Sequence, residues 1–248
     1  MSQVTLRFYE ELNDFLAPDL RKRDLKHDFD RRTSVKDMIE SFGVPHTEVE
    51  LILVDETSVD FSHTVLDGER ISIYPMFEGL DVTPVLRLRP EPLRTPRFIL
   101  DTNLGRLARY LRLLGFDCLY RNDYEDRTVA ETAQREQRTV LTRDRALLQH
   151  RIIDHGYFVR AVRPRFQVVE VLARFDLYRL IKPFSRCTRC NGELHDVAKA
   201  AIIDRLEPKT RKYFDTFKIC TDCQQIYWQG SHYVRSLKLL AEFRDHPG

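Results

Sequence analysis

Two cysteine pairs constrain this chain more than any other feature. Cys187-Thr-Arg-Cys190 and Cys220-Thr-Asp-Cys223 are separated by residues 191–219, a spacing at which four thiolates form a tetrahedral Zn²⁺ site of the ribbon type. All four positions are cysteine, so no coordination site is left for a substrate and the metal is structural. A pair of disulfides would need an oxidising compartment, for which nothing in the sequence argues. The fifth cysteine, Cys118, sits alone in an apolar strand-like run and reads as a packed core residue. The second knuckle continues with Gln224, where a glycine is expected, because the position often takes a left-handed backbone that costs other residues energy.

The remaining length must hold more than this ribbon. A chain of 248 residues has room for two ordinary domains or three small ones. Its net charge of +2 hides a division near position 80. Residues 1–80 carry 9 Lys and Arg against 17 Asp and Glu, or −8, and the rest carries 31 against 21, or +10. Such polarity points to a polyanionic partner for the second part and a separate role for the first. No apolar run approaches the ~20 residues of a membrane span, and the start MSQVTLRFYEEL lacks the sections of a secretory signal. A cytoplasmic location without a membrane partner is therefore expected. Residues 81–96 hold four prolines (Pro84, Pro90, Pro92, Pro96), a composition that favours extended backbone and reads as a linker.

Residues 1–80 alternate between apolar and polar over Val4–Phe8 and Leu25–Phe29, as half-buried strands do. After Thr33 and Ser34, either able to cap, Val35, Met38, Ile39 and Phe42 recur at helical spacing and stop at Gly43. Strand-like runs follow at Glu50–Val54 and Arg70–Tyr74, the second preceded by the turn Asp67-Gly68. This order, ending in VLDGERISIYP, resembles the ubiquitin-like β-grasp fold and in particular the small sulfur-carrier proteins. Carrier chemistry needs a free terminal Gly-Gly, whereas this chain continues through Glu78-Gly79-Leu80-Asp81. The resemblance therefore implies a binding or regulatory module without catalysis of its own, with a protein as its candidate partner.

Over residues 97–180 strands and helices alternate, as in a parallel sheet with crossover connections. FILD ends in Asp101, LGRLARYLRLLG gives a helix that Gly115 stops, a helix over Asp126–Gln137 is capped by Asp126, and TVLTRD ends in Asp144. Ligands of such sheets collect outside the carboxyl ends of the strands, which places Asp101, Asp144, Asp126 and neighbouring Asp123 at one edge. Converging carboxylates repel unless a cation neutralises them, and Mg²⁺ or Mn²⁺ is the expected occupant. A cap role for Asp126 and a turn role for Asp101 are the structural alternatives. Arg106, Arg109, Arg143 and Arg145 flank the acids and suit contacts to RNA phosphates. Arg112, like Arg109, has the alternative of a solvated helix face.

FILDTNLGRLARYLRLLGFD and VLTRDRALL resemble the Mut-seven C-terminal RNase domain, a PIN-like nuclease core followed by a zinc ribbon, and YWQGSHYVR resembles the end of that family. The resemblance implies a mixed α/β protein with a β-grasp domain over 1–80, a PIN-like core over 97–180 and a zinc ribbon over 181–248. It implies a metal-dependent ribonuclease, endonucleolytic in mode, in which Asp101, Asp126 and Asp144 match the acidic positions. The helix-borne glutamate of other PIN domains has no clear match, since neither Glu131 nor Glu136 fits a motif, and Asp123 is the substitute. Tyr227, Trp228, His232 and Tyr233 are candidates for stacking on unpaired bases, the alternative being that the only tryptophan packs the ribbon core. A non-catalytic RNA-binding adaptor, whose β-grasp module recruits a protein, is the alternative function.

Overall fold

A computed structural model describes residues 1–75, 88 and 96–244, with His232 and Arg244 as backbone only. The chain divides into two compact units, residues 1–95 with 126–158 and residues 96–125 with 159–248. Apart from Leu88 and Pro96, the proline-rich segment 81–96 lies outside the described residues, as does the Glu78–Asp81 continuation.

The first unit opens with β1 (Ser2–Phe8), β2 (Leu25–Phe29), α1 (Val35–Ser41), β3 (Val49–Val54), the two-residue β4 (Thr57–Ser58) and β5 (Arg70–Pro75). The sheet order is β2-β1-β5-β3-β4, with β1 and β5 parallel and the other pairs antiparallel. Alternation decides which side chains enter the core: Val4, Leu6 and Phe8 of β1 and Ile71 and Ile73 of β5 are fully buried, each contributing ~1.5–3 kcal/mol by leaving water. Ser34 caps α1 by accepting the Asp37 amide at 3.1 Å, and Val35, Met38 and Ile39 face the sheet. Gly43, at φ +80°, ends the helix.

Residues 126–158 complete this unit with α3 (Asp126–Glu136), β8 (Thr139–Thr142), α4 (Arg145–Leu148) and β9 (Gly156–Phe158). β8 and β9 run parallel. They are held to the β-grasp domain by polar contacts that the sequence does not advertise. His46 contacts Glu40 Oε1 at 2.6 Å through Nδ1 and the Ile153 carbonyl at 3.0 Å through Nε2. Glu48, 2% exposed, accepts the Phe158 amide. Arg145 donates to the carbonyls of Phe15 and Asp14 at 3.2 and 3.3 Å and lies over the Phe15 and Phe158 rings.

The second unit begins with β6 (Arg97–Leu100), α2 (Gly105–Leu113) and β7 (Asp117–Leu119), and β6 and β7 are parallel. Leu107, Ala108, Leu111 and Leu114 are buried and α2 packs on α5 (Pro164–Arg174). Gly115 closes α2 at φ +99°, and a Cβ there would run into the Lys182 carbonyl. The rest is the ribbon: β10 (Leu194–Val197), α6 (Lys199–Ile202), α7 (Pro208–Tyr213), β11 (Phe217–Cys220), β12 (Ile226–Trp228) and α8 (Ser231–Arg244). β10, β11 and β12 form an antiparallel sheet. Among the described residues no helix is long and apolar enough to cross a membrane.

The sequence suggests a module tethered to the nuclease core, whereas residues 126–158 share their compact unit with it. Deleting residues 1–80 exposes the groups that His46, Glu48 and Phe15 satisfy, and the truncated chain is expected to lose amide-exchange protection over 126–158. Full protection there would contradict this packing.

Candidate metal centre and acidic positions

The four cysteine Sγ atoms lie within 4.8 Å of one another, and among the described residues they are the set of metal-binding side chains that gathers. Cys187 and Cys223 are 3.6 Å apart and Cys190 and Cys220 3.4 Å. Tetrahedral zinc with Zn–S bonds of ~2.3 Å separates its sulfurs by about 3.8 Å, so donor set and size both fit. Burial opposes ionisation of Cys187, but hydrogen bonds from Tyr227 and the backbone amides of Cys190 and Arg189 hold its thiol at about 7. Burial and the surrounding sulfurs push Cys190 up to about 12. One thiolate forms readily and the next are opposed, the charge problem that a divalent cation removes.

The residue after each pair is left-handed, Asn191 at φ +78° and Gln224 at φ +58°, so the expected strain at Gln224 is present. Gly192 is required by space: a Cβ there would sit 2.6 Å from the Asp222 carboxylate and 2.8 Å from Cys220 Sγ.

The first knuckle is bonded into the β6-α2-β7 layer. Arg112, 4% exposed, donates Nε to the Cys118 carbonyl at 2.8 Å and one Nη to the Arg189 carbonyl, inside the knuckle, at 3.0 Å. Burial lowers its pKa, opposed by the nearby cysteines. Asn191 accepts the Cys118 amide at 2.8 Å and donates to Asp117 at 2.8 Å. The solvated-face alternative thus fails for Arg112, while Arg106 and Arg109 are exposed on α2. Cys118 is a fully buried core residue. Tyr227 Oη lies 3.0 Å from Cys187 Sγ, and burial, reinforced by Cys187, raises its pKa to about 12, so it donates as a phenol.

The acidic positions divide between the units. Asp101, 6% exposed, follows β6 and caps the 3₁₀ turn Thr102–Leu104, its Oδ1 accepting the Thr102 amide at 2.5 Å. Asp144 follows β8, caps α4 by accepting the Ala146 amide at 2.8 Å, and is exposed. Asp126 is an exposed residue in the first turn of α3, inside the helix and not before it. Asp123 is exposed and paired with Arg121 at 2.8 Å, whose hydrogen bond lowers its pKa. Glu131 is occupied by Arg127 at 2.7 Å. Glu136 is held below the usual carboxylate range by Arg138 and Arg135. Arg143 is half-buried. Arg145 is committed to Asp14 and Phe15. The buried pairs made by Arg112 and Asn191 are what sequence reasoning missed; an arginine at i+5 from Leu107 gives no signal of a partner near residue 190.

Purified protein is expected to hold one zinc per chain, with affinity falling as pH drops because the ligand thiols must lose protons. Tyr227→Phe should weaken zinc against a chelator about tenfold. Arg112→Leu leaves two buried carbonyls unsatisfied and should cost about 3 kcal/mol in denaturant unfolding; an unchanged midpoint would remove its docking role.

The chain matches the family model for the Mut7-C RNAse domain over residues 96–240 and that for the Mut7-C ubiquitin domain over residues 1–81. No curated protein and no solved structure matches it. With a β-grasp sheet in the first match and parallel strand pairs followed by a four-cysteine ribbon in the second, the chain belongs to the Mut7-C RNase family.

Proposed function

We propose that the chain is a metal-dependent ribonuclease that cuts internal phosphodiester bonds of RNA, with Asp101, Asp126 and Asp144 as its catalytic acids and Asp123 as the fourth. The observation that carries this reading is the Mut7-C RNAse match over residues 96–240, within which all four acids fall. Their donor set is carboxylate oxygen alone, which suits Mg²⁺ or Mn²⁺ and not a softer metal. Such an ion, when bound, activates water and offsets charge on the phosphate. The four cysteines take the structural zinc.

The chain's own residues supply orientation. The Thr102 amide fixes Asp101. Asp144 is fixed twice: its Oδ1 accepts the Ala146 amide, and its own amide donates to Thr142 Oγ1 at 2.9 Å. Asp144 Oδ2 has no hydrogen-bond partner among the described residues and is the atom to take a proton from the attacking water. Arg106, Arg109 and Arg143 position the RNA phosphates without reading sequence.

One observation favours the adaptor reading: Asp101 and Asp144 both act as caps, which accounts for them without a metal. Asp101→Asn and Asp144→Asn separate the two, since asparagine caps nearly as well as aspartate but is a poor ligand and no base. Each change should lower cleavage of a mixed cellular RNA pool in Mn²⁺ by roughly a hundredfold or more, with RNA affinity kept. Undiminished cleavage by both variants would exclude these acids. No cleavage by the unaltered protein, with binding intact, would leave the adaptor.

A further inference from the structure

The second unit contains a groove of about 590 Å³, a size usual for sites that enclose a small organic group. One wall is α2, presenting Arg106 and Arg109. The facing wall is the ribbon, presenting Tyr227, Trp228 and Lys218, and Tyr233 at the start of α8 closes one end.

Three observations give the groove its chemistry. Its lining contains no carboxylate, while Arg106 and Arg109 are exposed and without an ion-pair partner among the described residues, so an anion entering it meets uncompensated positive charge. Trp228 remains 39% exposed and lies outside the ribbon core, which Ile202, Leu206, Phe217 and Ile226 form. The alternative that this tryptophan merely packs the ribbon therefore fails, and a large ring is left facing the groove. Gly230 keeps its edge clear, since a Cβ there would come within 2.9 Å of the indole nitrogen. Tyr233 is braced by Phe184, with ring centroids 4.5 Å apart.

We propose that this groove binds unpaired RNA, its aromatic rings stacking on bases while Arg106 and Arg109 hold the flanking phosphates. Rings and cations on facing walls are the combination that single strands need, and a duplex, whose bases are already stacked, cannot supply the faces. The assignment to RNA rests on the ribonuclease reading above. The floor is tied to the metal centre, because Tyr227 spends its hydroxyl on Cys187 and offers only its ring.

Trp228 is the only tryptophan of the chain, so its emission reports directly on the groove. The full zinc-loaded protein is titrated with a 2′-O-methyl oligouridylate and no added divalent cation, so that cleavage plays no part. Saturable quenching is expected, absent with the corresponding duplex. Anisotropy of the labelled oligonucleotide should show affinity falling roughly tenfold in Trp228→Ala and in Arg106→Ala/Arg109→Ala, and by less in Trp228→Phe, with zinc content unchanged as the control for folding. Failure of the ribonuclease reading appears separately, as cleavage indifferent to Asp101→Asn and Asp144→Asn. Unchanged affinity in Trp228→Ala, equal binding of duplex, or displacement of the oligonucleotide by a polyglutamate peptide at matching concentration would overturn the proposal.

Discussion

The hydrogen bonds that join the first cysteine knuckle to Arg112 and to the Cys118 strand organise the whole second unit. An arginine buried to 4% exposure would be costly without acceptors, and its acceptors are the carbonyls of Cys118 and Arg189. Asn191 bonds the same strand from the knuckle's other end. Asn191, left-handed at φ +78°, directly follows Cys190, so the knuckle's geometry reaches through this bond into the layer that ends at Asp101. The groove depends on the same contact, one wall being the helix of Arg112 and the other the ribbon.

An analogous arrangement holds the first unit. The β-grasp domain presents the consecutive buried polar residues His46, Thr47 and Glu48, a 3₁₀ turn before β3, to residues 148–158, and Phe15 receives Arg145. Arg145 directly follows Asp144, so the module fixes the helical turn that Asp144 caps. A ubiquitin-like fold is used here as a structural part of the protein's second half, and its −8 charge is spread over a surface already occupied along one side. To the expectation of an acidic module joined through a proline-rich linker, the structure adds its packing against residues 126–158.

Much of this was legible in the sequence because it is local. Alternation at Val4–Phe8 and Arg70–Tyr74, the Ser34 cap, the Gly43 and Gly115 stops and the two cysteine pairs all encode structure within a few residues, and they recover the β-grasp order, the parallel α/β pairs and the metal cluster. The rest was hidden because it is distant. Helical spacing separates Arg112 from the apolar face but cannot know that Arg189 waits 77 residues away, and nothing near Arg145 in the sequence signals that its guanidinium lies over Phe15. At the acids, sequence names the residues and the backbone adds the caps of Asp101 and Asp144; Asp126 stands in the first turn of α3 and not before it, and at the other end of that helix Gln137, at φ +50°, stops it one residue early.

The central claim is that the metal-held knuckle supports the β6-α2-β7 layer and not the ribbon alone. Hydrogen exchange on zinc-loaded and zinc-stripped protein, followed by mass spectrometry, tests it directly. Loss of protection extending through residues 97–119 on zinc removal is the predicted result; loss confined to residues 181–244 would contradict it.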